Sequence, residues 1–405
     1  MRYWRTITTV SVIMMATCAH AQSSVMLYGV IDYGINYVND AQKAVSGGRT
    51  GKTQWATSSS IMQGNRWGLR GNEDLGGGYK AVFVLESGMD IGTGTFQQGG
   101  ALFGRQAYVG IASPYGTVTL GRQYDSVVDS IGPITGAVGN GTYSLHGNDI
   151  DNFGNTYRVN NAVKYTSPTF GGFRLTGLYS FGGVAGSFGT NSIFSVGGTY
   201  NNGPLTVAAA FLDVRNPNRS YWGDNPNGSA TANNLGATSG VQVNPVYGGF
   251  ASAHTYQVIG AAAQYSGFGF IVGADYSHIA FRNLNDSASG DLSLINPRHY
   301  TGNAIFNSYS VFGRYAITPL LWVSGAYDYL AGGAIDGKDG AKYHLFNLSL
   351  DYFLSKRTDV YFMANYQIAS GVDSTGQSAV ASYLTITPSN TSRQLLFRMG
   401  MRHLF

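Results

Sequence analysis

Counting back from Phe405, every second side chain is Phe405, His403, Met401, Met399, Phe397 and Leu395, and the intervening set is Leu404, Arg402, Gly400, Arg398 and Leu396. One face is largely apolar and the other carries two arginines. That period-two pattern marks a strand lying between an apolar medium and water. Ending such a strand on an aromatic is how an outer-membrane β-barrel closes its last strand against its first.

The alternation recurs along the chain. Val25, Leu27, Ile31, Tyr33, Ile35 and Tyr37 oppose Tyr28, Val30, Asp32, Gly34 and Asn36. Trp67 and Leu69 oppose Arg66, Gly68 and Arg70, and Ala81, Phe83 and Leu85 oppose Lys80, Val82, Val84 and Glu86. Short turns rich in Gly, Pro, Asn and Ser fall near 72–78, 113–116, 169–172, 201–204, 266–269, 318–319 and 354–357. These residues supply the backbone angles that reversals need. Seven such hairpins plus a first and a last strand predict a 16-stranded antiparallel barrel. Long polar stretches are expected as loops on the other side: 38–60, 87–101, 123–157, 183–192, 215–253, 281–306, 331–342 and 369–391. Short turns on one rim and long loops on the other are the asymmetry of an outer-membrane barrel.

Composition sharpens this picture. Charged residues make up only 11% of the chain, against 57 glycines and 28 tyrosines, well below the charge of an ordinary soluble domain. No apolar run after the first residues is long enough for a spanning helix. A soluble all-β solenoid would account for the glycine, but not for strands apolar on the face away from the arginines. Nor would it place Tyr33, Tyr37, Tyr79, Tyr165, Tyr179, Tyr265, Tyr276, Tyr315, Tyr327, Tyr329 and Tyr352 at strand ends, where interfacial girdles sit.

Met1-Arg2-Tyr3-Trp4-Arg5, a short apolar stretch and Ala19-His20-Ala21 read as a secretory signal cleaved after Ala21. The expected organisation is therefore 1–21 signal and 22–405 barrel. Cleavage would remove Cys18, the only cysteine, so the mature chain would hold no disulfide. The formal net charge is +4, with Arg2 and Arg5 inside the signal. The near-neutral remainder argues against a nucleic-acid partner.

Strand parity sorts the wall. Arg66, Arg70, Lys80, Arg158, Lys164, Arg174, Arg314, Arg398 and Arg402 fall on the inner face, as do Asp32, Glu86, Asp275, Asp328, Asp351 and Asp359. A charge facing lipid at the midplane costs about 2–4 kcal/mol, so these side chains should face water. Arg105 and Arg122 belong inside too, but their parity clashes with some neighbours, which a β-bulge would resolve. A barrel of this size leaves an aqueous lumen. The third long loop, 123–157, carries Asp125, Asp129, Asp149 and Asp151. Folded inward, its acids would face wall arginines across a narrow gap.

The stretches Asn65-Arg66-Trp67-Gly68-Leu69-Arg70-Gly71-Asn72-Glu73-Asp74-Leu75-Gly76, Gly104-Arg105-Gln106-Ala107-Tyr108-Val109-Gly110, Gly121-Arg122-Gln123-Tyr124 and Tyr157-Arg158-Val159-Asn160-Asn161-Ala162-Val163-Lys164-Tyr165 resemble the Gram-negative general diffusion porins, most of all their β-proteobacterial branch. The resemblance spans the mature chain. It implies a trimeric outer-membrane barrel whose third loop narrows a channel for passive passage of ions and small hydrophilic solutes. It implies a constriction with Arg66, Arg105 and Arg158 on the wall, Arg70 and Lys80 beside them, Arg122 nearby, and Asp125 and Asp129 on the loop. It implies no cofactor. The implied partners are two further copies of the chain, lipid and lipopolysaccharide, the barrel-assembly machinery through the Phe405 strand, and the permeating solutes. His403 departs from the aromatic that many such barrels carry before the terminal Phe.

The surplus of basic over acidic wall residues predicts mild anion preference. An enzyme is the rival from another class, but His146, His254, His278, His299, His344 and His403 stand in no nucleophile-like motif. A receptor or adhesion barrel is a second alternative, because loops 215–253 and 281–306 are long enough to bind a partner. Gly147–Asn152 and Gly223–Gly228 offer oxygen ligands without the spacing of a calcium loop.

Overall fold

The computed structural model describes residues 24–46, 48–223, 234–235, 237–238, 241–242 and 244–405. The expected signal, 1–21, and part of the 223–228 cluster lie outside these residues. Among the described residues there are nineteen strands: β1 (Ser24–Val45), β2 (Gly48–Ser59), β3 (Arg66–Gly76), β4 (Tyr79–Gly88), β5 (Gln106–Ser113), β6 (Gly116–Gln123), β7 (Val159–Thr166), β8 (Phe173–Ser180), β9 (Ile193–Asn202), β10 (Leu205–Arg215), the short pair β11 (Ala237–Thr238) and β12 (Val241–Gln242), β13 (Thr255–Gly267), β14 (Phe270–Leu284), β15 (Gly302–Ala316), β16 (Leu321–Gly332), β17 (Lys342–Phe353), β18 (Thr358–Ser370) and β19 (Arg393–Leu404).

Sixteen of these form a closed antiparallel barrel, and β2 is an extra strand in the same sheet. Each barrel strand pairs with the next, and β19 returns to β1 with Asn36 opposite Arg398 and Asp32 opposite Arg402. Closure leaves no bare edge in a medium that cannot hydrogen-bond it. All seven short turns lie at one rim.

Strand β17 shows why the wall stands where it does. Phe346, Leu348, Leu350 and Tyr352 are exposed, while Leu345, Asn347, Ser349 and Asp351 between them are buried. The exposed set is the lipid face and the buried set lines the interior.

Two expectations need correction. The stretch 38–60 is strand rather than loop. β1 runs on to Val45 and pairs along its second half with β2, from Tyr33 opposite Ser59 to Val45 opposite Gly48. The alternation Trp55, Thr57, Ser59 was there to be read, but the many Ser, Thr and Gly residues masked it.

The lumen is also not uniformly wet. The inward loop opens with α1 (Ser126–Ser130), and its Val127, Ile131, Ile150 and Phe153 pack against Leu178, Ile193, Ala208, Leu212, Val258 and Ile279 of the wall. Outer-loop residues Trp222, Val246, Tyr247 and Phe250 extend that core over Tyr256, Phe281 and Phe306. Burying these side chains contributes about 1.5–3 kcal/mol each, enough to hold the loop inside despite its entropy. Gly197 on β9 permits the approach, since a Cβ there would lie 2.5 Å from Ser130 Oγ and 2.8 Å from the Ser126 carbonyl oxygen.

Candidate pore constriction

A space of about 500 Å³ remains between the loop and the wall formed by the early strands. Arg66 and the neighbouring Met62, Gln63 and Gly64 line one side. Tyr124, Val128, Asp129, Pro133, Val138, Leu145 and Phe153 line the side contributed by the loop. The arginine and the aspartate thus border the same gap, and a charge of each sign on facing walls sets up a transverse field.

Arg66 starts β3, and its partner across β4 is Gly88. Among the described residues its Nε has no hydrogen-bond acceptor. Behind it lies a polar network that fixes Arg105. The Arg105 Nε donates to Glu86 Oε1 at 2.8 Å, and its Nη2 donates to the Tyr124 hydroxyl at 3.0 Å. Tyr124 and Tyr28 each donate to Glu86, at 2.9 and 2.8 Å. One carboxylate therefore collects three donors, which makes the pair rigid as well as strong. Glu86 was assigned to the inner wall by parity. Tyr28 shares the Asp32 face of its strand by alternation, but an uncharged phenol gives no sign in the sequence that it or Tyr124 binds Glu86.

Arg70 lies four positions further along β3, opposite Val84, with its guanidinium 5.2 Å over the Tyr28 ring. It touches the network at its edge. Lys80 does not sit beside Arg66. It pairs with Asp74, eight positions down β3, or roughly 27 Å along the strand toward the short turns.

Arg122 follows the expected irregularity: the β6–β7 register shifts between Gly121 and Gln123. Gly121 has φ +133, and a Cβ there would meet the Ala107 carbonyl oxygen at 2.2 Å, so only glycine fits this bulge. The bulge turns Arg122 toward backbone carbonyls of neighbouring loops, with Nε donating to Gly104 at 2.7 Å and Nη1 to Gly223 at 2.8 Å. Arg158 is buried just before β7, and its Nη1 donates to the Thr156 carbonyl at 3.0 Å.

Among the loop acids, Asp129 borders the gap and pairs with the Lys164 ammonium of β7. Asp125 does not face the arginines as expected. It caps α1, accepting from the Val127 and Val128 amides at 2.7 and 3.1 Å, and takes a third bond from Asn152. A helix cap satisfies amides that would otherwise be bare inside the barrel. Burial pushes its carboxyl up to about 6, against the pull of those donors. Asp149 and Asp151 are likewise turned into the loop and the wall. Asp149 accepts from the Gly154 and Thr156 amides at 2.7 and 2.9 Å. Burial, and then the charge of Asp151, push it up to about 7.

Comparison with known proteins agrees with this architecture. Residues 8–371 match the Gram-negative porin family. An outer membrane porin protein of Bordetella pertussis is 31% identical over 376 residues, covering 87% of this chain and 90% of that protein. Outer membrane porin protein 32 of Delftia acidovorans is 33% identical over 227 residues, 50% of this chain and 58% of that one. Among solved structures, an anion-selective porin from Comamonas acidovorans superposes with a TM-score of 0.66 at 22% identity, covering 95% of this chain and all of that one. A trimer form of the outer membrane protein OmpT of Vibrio cholerae gives 0.61 at 15% identity, covering 95% and 99%. With strands greasy outside, a loop folded within and relatives that match along most of its length, the chain belongs to the Gram-negative porin family and resides in the outer membrane.

Proposed function

We propose that the chain is a general diffusion channel whose narrowest zone lies between Arg66, supported by Arg105, and Asp129 on the inward loop. The observation that carries this reading is that Arg66 and Asp129 border one space inside a closed barrel. Ions and small hydrophilic solutes cross by diffusion. Selection is by size at the loop and by dipole in the field between the walls. Arg158 and Arg122 fix the loops that frame this zone, Arg70 and Lys80 lie on the path below it, and Asp125 holds α1 in place. Mild anion preference follows from the basic wall, and the description of the Comamonas acidovorans neighbour as anion-selective supports it. The trimer form of the Vibrio cholerae neighbour supports assembly of three copies. Residues 1–21 act as the cleaved signal, 22–405 as the barrel, and the Phe405 strand as the element engaged by the assembly machinery.

Reconstitution in planar bilayers tests the proposal. The protein should conduct, with a reversal potential in a salt gradient of the anion-preferring sign. A clear cation preference would overturn the selectivity, and no conductance from folded protein would overturn the channel.

A further inference from the structure

The inward loop meets the far wall at one histidine. His146 is 5% exposed and aims both ring nitrogens at carboxylates. Its Nδ1 lies 2.6 Å from Asp151 Oδ2 on the same loop. Its Nε2 lies 2.9 Å from Asp275 Oδ1 on β14 and 3.5 Å from Asp328 Oδ1 on β16. Ser277 donates to Asp151 at 2.6 Å, and Asn347 donates to Asp328 at 3.0 Å, so two of the three acids are held in place, while Asp275 meets the ring as an ion pair without a hydrogen bond of its own among the described residues. The other titratable groups around the cluster are Asp149 from the loop and Tyr256 from β13, whose hydroxyl donates to the Ile150 carbonyl at 2.6 Å. The Phe153 ring covers the imidazole at 5.6 Å.

A neutral imidazole has one donor and one acceptor nitrogen, and an acceptor facing a carboxylate repels it. Only the doubly protonated ring satisfies both sides. We propose that the His146 imidazolium is a latch, a positioning residue that fastens the inward loop to β14 and β16 and so fixes the width of the channel. This rests on the channel reading above. Burial alone would lower the histidine, but the charges of Asp151 and Asp275 outweigh it and hold it well above its ordinary value. The latch is therefore closed through the ordinary histidine range and opens as pH rises through the raised one. Loss of the proton leaves three buried carboxylates without their counter-charge, which weakens the hold of β14 and β16 on the loop.

Two measurements on the full-length barrel test this. In single-channel recordings between about pH 6 and about pH 10, the wild type should be quiet at the lower value and several-fold noisier at the higher. His146→Gln should be noisy at both, and His146→Lys, which keeps the charge, should stay quieter than His146→Gln. Hydrogen exchange of wild-type residues 144–153, corrected for the intrinsic pH dependence of exchange, should lose protection between about pH 8 and about pH 10, above the value through which Asp149 titrates, and needs no variant to fold. Equal noise in folded wild type and His146→Gln at both pH values, or unchanged protection, would overturn the latch. A wild type with no conductance but pH-dependent protection would overturn the channel and leave the latch standing.

Discussion

The guanidinium of Arg398 on β19 lies 3.2 Å from the carboxylate of Asp32 on β1, so the seam that closes the barrel is pinned from inside by a fully buried ion pair. Arg398 also donates to Tyr361 at 2.8 Å, Asn36 at 2.9 Å and Ser58 at 2.7 Å. Removing one partner strands the other charge, at a cost of about 3–5 kcal/mol. Arg398→Ala should therefore lower the unfolding midpoint in detergent strongly, while Arg398→Met combined with Asp32→Asn should recover much of the loss. Equal midpoints for wild type and Arg398→Ala would refute this.

At the constriction, a unit charge about 4 Å from a passing ion in water is worth ~1 kcal/mol, roughly a fivefold effect on preference. Arg66→Ala should lower anion preference by about that factor and raise conductance slightly. Glu86→Gln should move the reversal potential the opposite way, because it removes the negative charge that Arg105 now neutralises. Salt-gradient recordings read both shifts.

Asp149 supplies a pH dependence of its own. Its folded-state value, about 7, lies above that of an unfolded carboxyl, so the folded loop binds the extra proton. The stabilisation is complete below the ordinary aspartate range and is lost as pH rises through about 7. Exchange at the Gly154 and Thr156 amides, corrected for intrinsic rate, should accelerate over that interval. Asp149→Asn should flatten the response.

The lipid face is tested on one strand. Leu348→Arg puts a charge among acyl chains and should cost about 2–4 kcal/mol in urea titrations of the vesicle-inserted protein. Ser349→Thr, one residue away on the inner face, should cost far less. Equal penalties would mean that the assigned sidedness of β17 is wrong.

The wall was legible because lipid on one side and polar lining on the other force a strict alternation, as in Phe346, Leu348, Leu350 and Tyr352. The count of barrel strands followed from the turns. β2 was hidden because its Ser, Thr and Gly residues look like loop, although all of them but Thr53 pair with a residue of β1. The wall charges Arg66, Arg70, Lys80, Arg158 and Glu86 were readable by parity, Arg105 and Arg122 were not, and the roles of all of them lay beyond it. Asp125 and Asp129 are four residues apart on the same loop, yet one caps a helix and the other borders the gap. That difference comes from α1 docking against β8, β9 and β10, a contact distant in sequence. His146 stands in no recognisable motif because its three acids come from the loop, β14 and β16.

One strand, β1, touches β2 and β3 along one edge and β19 along the other. The earliest segment of the barrel must therefore keep an edge open until the last dozen residues arrive. Maturation of this protein should hinge on that final encounter, slow as long-range pairings are, and a chain stalled before it would display two sticky rims at once.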